Sequence, residues 1–114
     1  MSATSGTNGS ESNRPGGGGD SGGAALGLGE FQQWIRDRYY ETDKERGTAA
    51  TFLWFMEEVG ELATSLHGDD EANKNEEFAD VLAWLCTLAN INGVDLESAV
   101  RSKYLDGGGP IGHK

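Results

Sequence analysis

Two short acidic motifs contain the residues of this sequence that are best suited to chemistry. The first motif holds Glu57, Glu58 and Glu61, and the second holds Glu77 and Asp80. A separation of three residues places two carboxylates on one face of a helix, one turn apart, and this step occurs once in each motif. Such carboxylates repel one another unless a cation neutralises them, and oxygen ligands without His or Cys favour Mg²⁺, with Mn²⁺ as a second possibility. The pattern predicts a divalent-metal site with the ligands Glu58, Glu61, Glu77 and Asp80.

Two tryptophans lie at helical spacing from these acids. Trp54 lies four residues before Glu58, and Trp84 lies four residues after Asp80. On antiparallel helices both rings would extend the same end of one cleft, which suits the stacking of a nucleobase. Packing in the core or in a dimer interface explains the tryptophans equally well. A solvated acidic face is the corresponding alternative for the carboxylates.

Helices must position all of these residues. The segment 30–106 contains no proline, and its glycines fall at positions 47, 60, 68 and 93. Apolar residues recur at spacings of three and four, which predicts helices over about residues 30–40, 48–67, 72–90 and 95–104. The polar stretch 41–47 is expected to separate the first two, with Thr48 as the N-cap of the second. Short connections make neighbouring helices antiparallel, so the sequence predicts an all-α, antiparallel four-helix bundle-like fold.

The predicted core consists of one apolar stripe on each helix. These stripes hold Phe31, Trp34, Ile35 and Tyr39; Phe52, Phe55, Val59, Leu62 and Leu66; Phe78, Val81, Leu82, Leu85 and Leu88; and Leu96, Ala99, Val100 and Tyr104.

Composition divides the chain into three parts. Residues 1–29 hold 10 of the 18 glycines and almost no apolar residues, so we expect a disordered N-terminal tail, and residues 107–114 resemble it. The 77 residues from 30 to 106 are left to fold as one helical domain. A core of that size is marginally stable alone, which makes a homo-oligomer the expected state.

Charge and cysteine content restrict the partners and the compartment. The formal net charge is −10, and residues 30–106 carry 17 acidic and 7 basic side chains, so we expect no binding to a nucleic-acid polymer. Neither a signal sequence nor an apolar run of membrane-spanning length is present, which argues against a membrane or secreted protein. A single cysteine, Cys86, fits a reducing cytoplasm and is expected to be a small buried residue rather than a nucleophile.

The stretches TFLWFMEEVGELATSL and NEEFADVLAWL resemble the MazG-type nucleotide pyrophosphohydrolases, whose signature is EExxE, a spacer and ExxD. In this sequence 15 residues separate Glu61 from Glu77, a spacing typical of that family. The segments DKERG and NGVDLESAVRSKY extend the resemblance over about residues 30–105. After KY the chain lacks the cysteine-containing tail of some relatives, and Asp106 and Gly107 stand where others carry an asparagine.

The resemblance implies a helical dimer or tetramer that hydrolyses nucleoside triphosphates to monophosphate and pyrophosphate with Mg²⁺. It assigns the metal ligands to the four carboxylates named above and leaves Glu57 or Glu61 to accept a proton from the attacking water. Lys103 matches a family lysine that meets substrate phosphate, and Arg46 and Lys44 are further phosphate candidates.

Three other functions stay open at this point. Phosphoribosyl-ATP pyrophosphohydrolase shares the helical superfamily and the carboxylate chemistry, although the EEVGEL and DKERG segments favour the MazG branch. A di-iron carboxylate protein would use ExxH steps, which neither motif supplies. A helical interaction module without catalysis would keep the acids as a solvated face.

Overall fold

The computed structural model describes residues 25–106, and every regular element in that range is helical. Helix α1 spans Leu28–Leu66, α2 spans Glu71–Ile91 and α3 spans Leu96–Val100, followed directly by a π-helical turn at Arg101–Leu105. The predicted all-α class is confirmed. Residues 1–24 of the N-terminal tail predicted over residues 1–29, and the whole of the C-terminal tail predicted over residues 107–114, lie outside the described residues. Helix α1 begins at Leu28, inside the segment predicted as tail, and the Glu30 carboxylate accepts a hydrogen bond from the Gly27 backbone N–H at 2.8 Å.

The first two predicted helices are the two arms of one kinked helix. Backbone angles of φ 86° and ψ 167° at Gly47 interrupt α1, giving a first arm of residues 28–46 and a second arm of residues 48–66. The prediction that residues 41–46 would break the helix was wrong. Those residues are polar but include neither proline nor glycine, so helical hydrogen bonding continues to Gly47, where only a glycine adopts the required angles without strain.

The second arm of α1 and α2 run antiparallel and share the main interface of the chain. Thr48, at the start of the second arm, donates a hydrogen bond to the Asn92 side chain just after α2, at 3.4 Å. Further along the second arm, Glu58 lies beside Glu77, near the start of α2. Asp70 caps α2 by accepting a hydrogen bond from the Asn73 N–H at 3.0 Å. The antiparallel arrangement therefore brings the two acidic motifs to one place.

A buried polar link fixes the first arm of α1. The Gln32 amide donates to the Asn90 side chain at 2.9 Å and to the Val94 carbonyl at 2.7 Å. Its oxygen accepts from the Leu96 N–H at 2.9 Å, and Asn90 donates back to the Gln32 carbonyl at 3.3 Å. Because these groups are largely shielded from water, the bonds hold the first arm against the end of α2 and the start of α3.

The predicted core stripes are only partly correct. Ile35 is buried as expected, and several other members are half-buried. The side chains that the helices bury between them are mostly small or polar, including Thr51, Ser65, Cys86 and Thr87. Each helix is apolar on more than one face, so periodicity alone does not identify the face that packs inside the chain. Stripe residues that are exposed are Trp34, Phe52, Leu66, Phe78, Leu82, Leu85, Ala99, Val100 and Tyr104.

Cys86 is fully buried, as the sequence predicted, and burial raises the pKa of its thiol to about 11. A protonated, inaccessible thiol does not react with disulfide reagents. We therefore expect Ellman's reagent to leave the native protein unmodified at mildly alkaline pH and to titrate one thiol after denaturation. Rapid reaction of the native protein would show that α2 opens easily.

Within the described residues, no helix combines the length and the apolarity that crossing a bilayer demands.

Candidate active site

Three carboxylates converge where the second arm of α1 meets α2. Glu58, Glu77 and Asp80 each offer one oxygen, and these three oxygens lie within 4.8 Å of one another. Helical spacing sets Glu77 and Asp80 on one face of α2, and the antiparallel packing of α1 brings Glu58 to that face. Three oxygens this close can share a single hard cation.

Two of the converging carboxylates carry an oxygen that lacks a hydrogen-bond donor. Oε1 of Glu58 and Oε1 of Glu77 are both buried, and neither has a hydrogen-bond partner among residues 25–106. A buried anionic oxygen without a donor is costly, and a bound cation removes that cost. The donor set consists of carboxylates alone, without histidine or thiolate, so it fits Mg²⁺ or Mn²⁺ better than zinc.

The raised pKa values of the clustered carboxylates also indicate that a cation would stabilise this site. Burial, reinforced by the charges of Asp80, Glu61, Glu77 and Glu57, raises the pKa of Glu58 to about 7. Burial and neighbouring carboxylates, first of all Glu61 and Asp80, also raise the pKa of Glu77.

The pKa of Asp80 is raised as well, by burial and by the charges of Glu76 and Glu61. The protein alone therefore does not accommodate the full negative charge of this cluster at neutral pH.

Glu57 and Glu61 lie at the edge of this cluster. Both are exposed, and neither belongs to the set of three converging oxygens. Glu61 is close enough for its charge to act on all three clustered carboxylates, whereas Glu57 acts on Glu58. The predicted fourth ligand, Glu61, thus stands beside the three carboxylates that converge.

The two predicted tryptophans do come together next to the carboxylates. The rings of Trp54 and Trp84 are stacked, with centroids 6.4 Å apart and planes inclined by 16°. Trp84 is buried at 3% exposure, whereas Trp54 is 42% exposed. Trp54 is therefore the exposed member of the pair, and Trp84 packs against it from within the protein.

The predicted basic residues occupy different surroundings. The Arg46 guanidinium lies 5.1 Å from the centre of the Trp84 ring and donates hydrogen bonds to Asp43 at 3.0 Å and to Thr51 at 3.2 Å. The Lys44 ammonium lies 5.8 Å from the Tyr40 ring.

Lys103, on the exposed π-helical turn, lies 5.7 Å from the Tyr104 ring. Of these three cations, Arg46 is therefore the one for which the described part of the chain shows a contact with the tryptophan pair, through Trp84.

Asp43 and Thr51 are two residues of this site that the sequence did not single out. Asp43 is 2% exposed and Thr51 is fully buried. Both lie in segments that carry the family resemblance, Asp43 in DKERG and Thr51 at the start of TFLWFMEEVGELATSL, but the sequence assigned neither of them a role. The spacing of Asp43 and Arg46, three residues apart on one helical face, was the available signal.

Protonation of the cluster makes the stability of the metal-free protein depend on pH. Since the pKa of Glu58 rises from 4.5 to about 7 on folding, its effect on stability is fully favourable below about 4.5 and is lost as the pH passes through about 7. We expect the melting temperature in EDTA to fall as the pH rises across that interval, and saturating Mg²⁺ to weaken the dependence. A melting temperature independent of pH in EDTA would contradict the electrostatics described.

The fold and the site together define an all-α domain with a carboxylate cluster held between two antiparallel helices. Residues 46–104 match the family model described as the MazG nucleotide pyrophosphohydrolase domain. That match covers more than half of the chain, so the protein belongs to this family, and the family predicted from the acidic motifs is confirmed.

One curated relative is similar over much of the chain. A protein of Cyanophage S-2L named dATP/dGTP diphosphohydrolase is 35% identical over 74 residues. The alignment covers 65% of this chain and 63% of the relative, so the chain spans somewhat less than two thirds of that relative's length.

Proposed function

We propose that this protein is a Mg²⁺-dependent nucleotide pyrophosphohydrolase, which converts a nucleoside triphosphate to the monophosphate and pyrophosphate. The observation that carries the proposal is the convergence of Glu58, Glu77 and Asp80, with two buried oxygens that have no donor. The MazG family match supports the reaction class.

The cation-holding residues of this proposal are Glu58, Glu77 and Asp80, with Glu61, whose charge acts on all three, as the fourth ligand. Mg²⁺, or Mn²⁺ in its place, would supply charge neutralisation at the phosphates and acidify a bound water. The acidic residues then also explain why the cleft needs few basic side chains: the cation carries the positive charge.

Proton transfer in this proposal falls to an exposed carboxylate at the edge of the cluster. Glu57 or Glu61 accepts the proton of a water that attacks the α-phosphorus. A bond forms between the water oxygen and the α-phosphorus, the bond from that phosphorus to the bridging oxygen breaks, and pyrophosphate leaves. Both residues are exposed, which suits a group that must exchange its proton with solvent.

The nucleoside would lie on the aromatic side of the cluster. Trp54 offers an exposed ring for base stacking, and Trp84 packs behind it. Lys103 and Lys44 are exposed cations that are available to the phosphates of a bound nucleotide. The name of the Cyanophage S-2L relative makes dATP and dGTP the first substrates to consider.

A second copy of the chain is the partner we propose for the exposed apolar surface. Phe52 and Met56 on α1, with Phe78, Leu82 and Leu85 on α2, are all large, apolar and exposed. Where exposed apolar side chains form a patch, that patch marks a protein interface more often than a solvated face. A homodimer or homotetramer would cover it. We also propose that no nucleic-acid polymer is a partner, since the chain is strongly acidic. The single cysteine supports a further proposal, a cytoplasmic location.

The test is a panel of ribo- and deoxyribonucleoside triphosphates, together with phosphoribosyl-ATP, incubated with the full chain and Mg²⁺. We expect pyrophosphate release from purine deoxynucleoside triphosphates, and loss of that release in a Glu61→Ala, Asp80→Ala double variant. Glu97→Gln is the matched control, because it neutralises an acid on α3 whose ion pair within the described residues is with Arg101, outside the carboxylate cluster.

Two other outcomes would redirect the proposal. Turnover of phosphoribosyl-ATP alone would identify the other enzyme of the superfamily. Absence of any turnover, with a melting temperature unchanged by Mg²⁺ in parent and variant, would favour a non-catalytic helical module, because a ligand stabilises only a protein that binds it.

A further inference from the structure

A chain of contacts leads from the kink in α1 to the exposed face of Trp54. Arg46, the last residue of the first arm, pairs with Asp43 at 3.0 Å and donates to Thr51 of the second arm at 3.2 Å. Its guanidinium lies 5.1 Å from the centre of the Trp84 ring, and Trp84 in turn stacks on Trp54. The contacts therefore bridge the two arms of α1 and continue onto α2.

Asp43 restricts where the Arg46 side chain can go. The Asp43 carboxylate is 2% exposed, and its second oxygen, Oδ2, has no hydrogen-bond partner in the part of the chain that the structure describes. Arg46 is the cation paired with it, so a guanidinium that swung away to a phosphate would leave a buried anion unpaired. Moving the Arg46 side chain away therefore costs free energy, whereas moving a fully solvated arginine does not.

The position of the Trp84 ring depends on the Arg46 guanidinium and the Trp54 ring, which both lie against it. A guanidinium close to an indole ring is attracted by its electron-rich face, and the attraction strengthens where water is excluded. Trp84 is almost completely buried, so its position is set by these neighbours rather than by solvent. The orientation of the exposed Trp54 ring follows, because Trp54 stacks on Trp84.

We propose that Asp43 and Thr51 are positioning residues that hold Arg46 against Trp84 and thereby fix Trp54 as the stacking surface for a nucleobase. This inference rests on the proposed function for the identity of the ligand. It assigns Arg46 a role on the base side of the cleft, in place of the phosphate contact expected from the sequence. Loss of either positioning residue weakens binding of the nucleoside part and leaves binding of the phosphate part intact.

The experiment separates the two parts of the nucleotide. Inorganic triphosphate probes the phosphate side alone, and deoxyadenosine monophosphate adds the base. A Trp34→Phe background leaves Trp54 and Trp84 as the source of tryptophan fluorescence, so that quenching by the monophosphate reports on this pair. In that background we compare Asp43→Ala, Asp43→Asn and Thr51→Val with Glu97→Ala, which removes the carboxylate of an exposed ion pair.

We expect Asp43→Ala to weaken quenching by the monophosphate, and to raise KM for the triphosphate substrate, by about tenfold, with kcat changed much less. Affinity for inorganic triphosphate, measured as competitive inhibition, should stay near that of the parent. Asp43→Asn keeps an oxygen acceptor for Arg46 and should recover most of the loss. Thr51→Val preserves the volume of a buried residue and should reproduce a smaller part of the same effect, even if Asp43→Ala does not fold.

Several results would overturn the inference. Equal losses for both probes would make Arg46 a phosphate ligand, and unchanged quenching in Asp43→Ala and Thr51→Val would leave the two residues without a positioning role. The same holds if the monophosphate fails to quench the parent, since Trp54 then does not receive the base. A parent that binds the monophosphate but releases no pyrophosphate overturns the proposed function instead, and the response of quenching to the variants still decides the positioning role.

Discussion

Replacing Glu58 by glutamine is expected to abolish pyrophosphate release and at the same time to stabilise the metal-free protein. Glu58 contributes one of the three converging oxygens, and neutralising a metal ligand of this kind lowers turnover by about a thousandfold or more. Burial and four neighbouring acids raise the pKa of Glu58 to about 7, so the charged carboxylate is unfavourable in the folded state. An amide of the same shape removes that penalty.

The measurement pairs steady-state turnover with melting curves for Glu58→Gln, recorded in EDTA and in Mg²⁺. The variant should melt above the parent in EDTA at mildly alkaline pH, and Mg²⁺ should no longer raise its melting temperature. Glu97→Gln, on α3, should behave like the parent in both respects. Retained turnover in Glu58→Gln, or a lower melting temperature in EDTA, would show that Glu58 is an ordinary structural residue.

Replacing Gly47 by alanine adds a single methyl group, yet we expect it to lower the stability of the protein substantially. The angles of φ 86° and ψ 167° at Gly47 belong to a region that L-residues avoid. No atom of the described residues lies within 4 Å of the added Cβ, so the expected cost is backbone strain. We expect a loss of about 1–3 kcal/mol, each kcal/mol corresponding to about 4–8 °C in melting temperature for a domain of this size.

Gly60→Ala is the matched control in the same helix. Nothing lies within 4 Å of the Cβ that it would add, and Gly60 lies inside the regular second arm, away from the kink. There alanine should stabilise the helix by about 0.5–1 kcal/mol. In thermal unfolding we therefore expect the melting temperature to fall for Gly47→Ala and to rise for Gly60→Ala. Equal shifts, or a stable Gly47→Ala, would mean that α1 tolerates a straight path at this position.

The acidic motifs were predictable from the sequence because helical spacing is strictly local. The three-residue steps at Glu58–Glu61 and Glu77–Asp80 fix which carboxylates share a face, and the short connection at residues 67–70 makes the two helices antiparallel. These two facts suffice to bring Glu58, Glu77 and Asp80 together. The same local pattern predicted the Trp54–Trp84 pair, although not that Trp84 would be buried beneath Trp54.

The remaining features depend on contacts between distant parts of the chain. The polar composition of residues 41–46 alone suggested a loop. In the structure these residues stay helical, and the helix is interrupted only at the kink at Gly47. Asp43 gains its importance from a bond across that kink, through Arg46 to Thr51. The choice between a buried and an exposed face for Phe52 depends on which side of α1 meets α2, and periodicity does not carry that information.

The identity of the products decides whether the carboxylate cluster directs cleavage between the α- and β-phosphates. The measurement is incubation of the full chain with dATP or dGTP labelled at the α-phosphorus, with Mg²⁺ and separately with EDTA, followed by separation of the products. We expect the label to appear in the monophosphate together with an equal amount of pyrophosphate, and only when Mg²⁺ is present. Label in the diphosphate with release of inorganic phosphate, or products that form equally in EDTA, would contradict it.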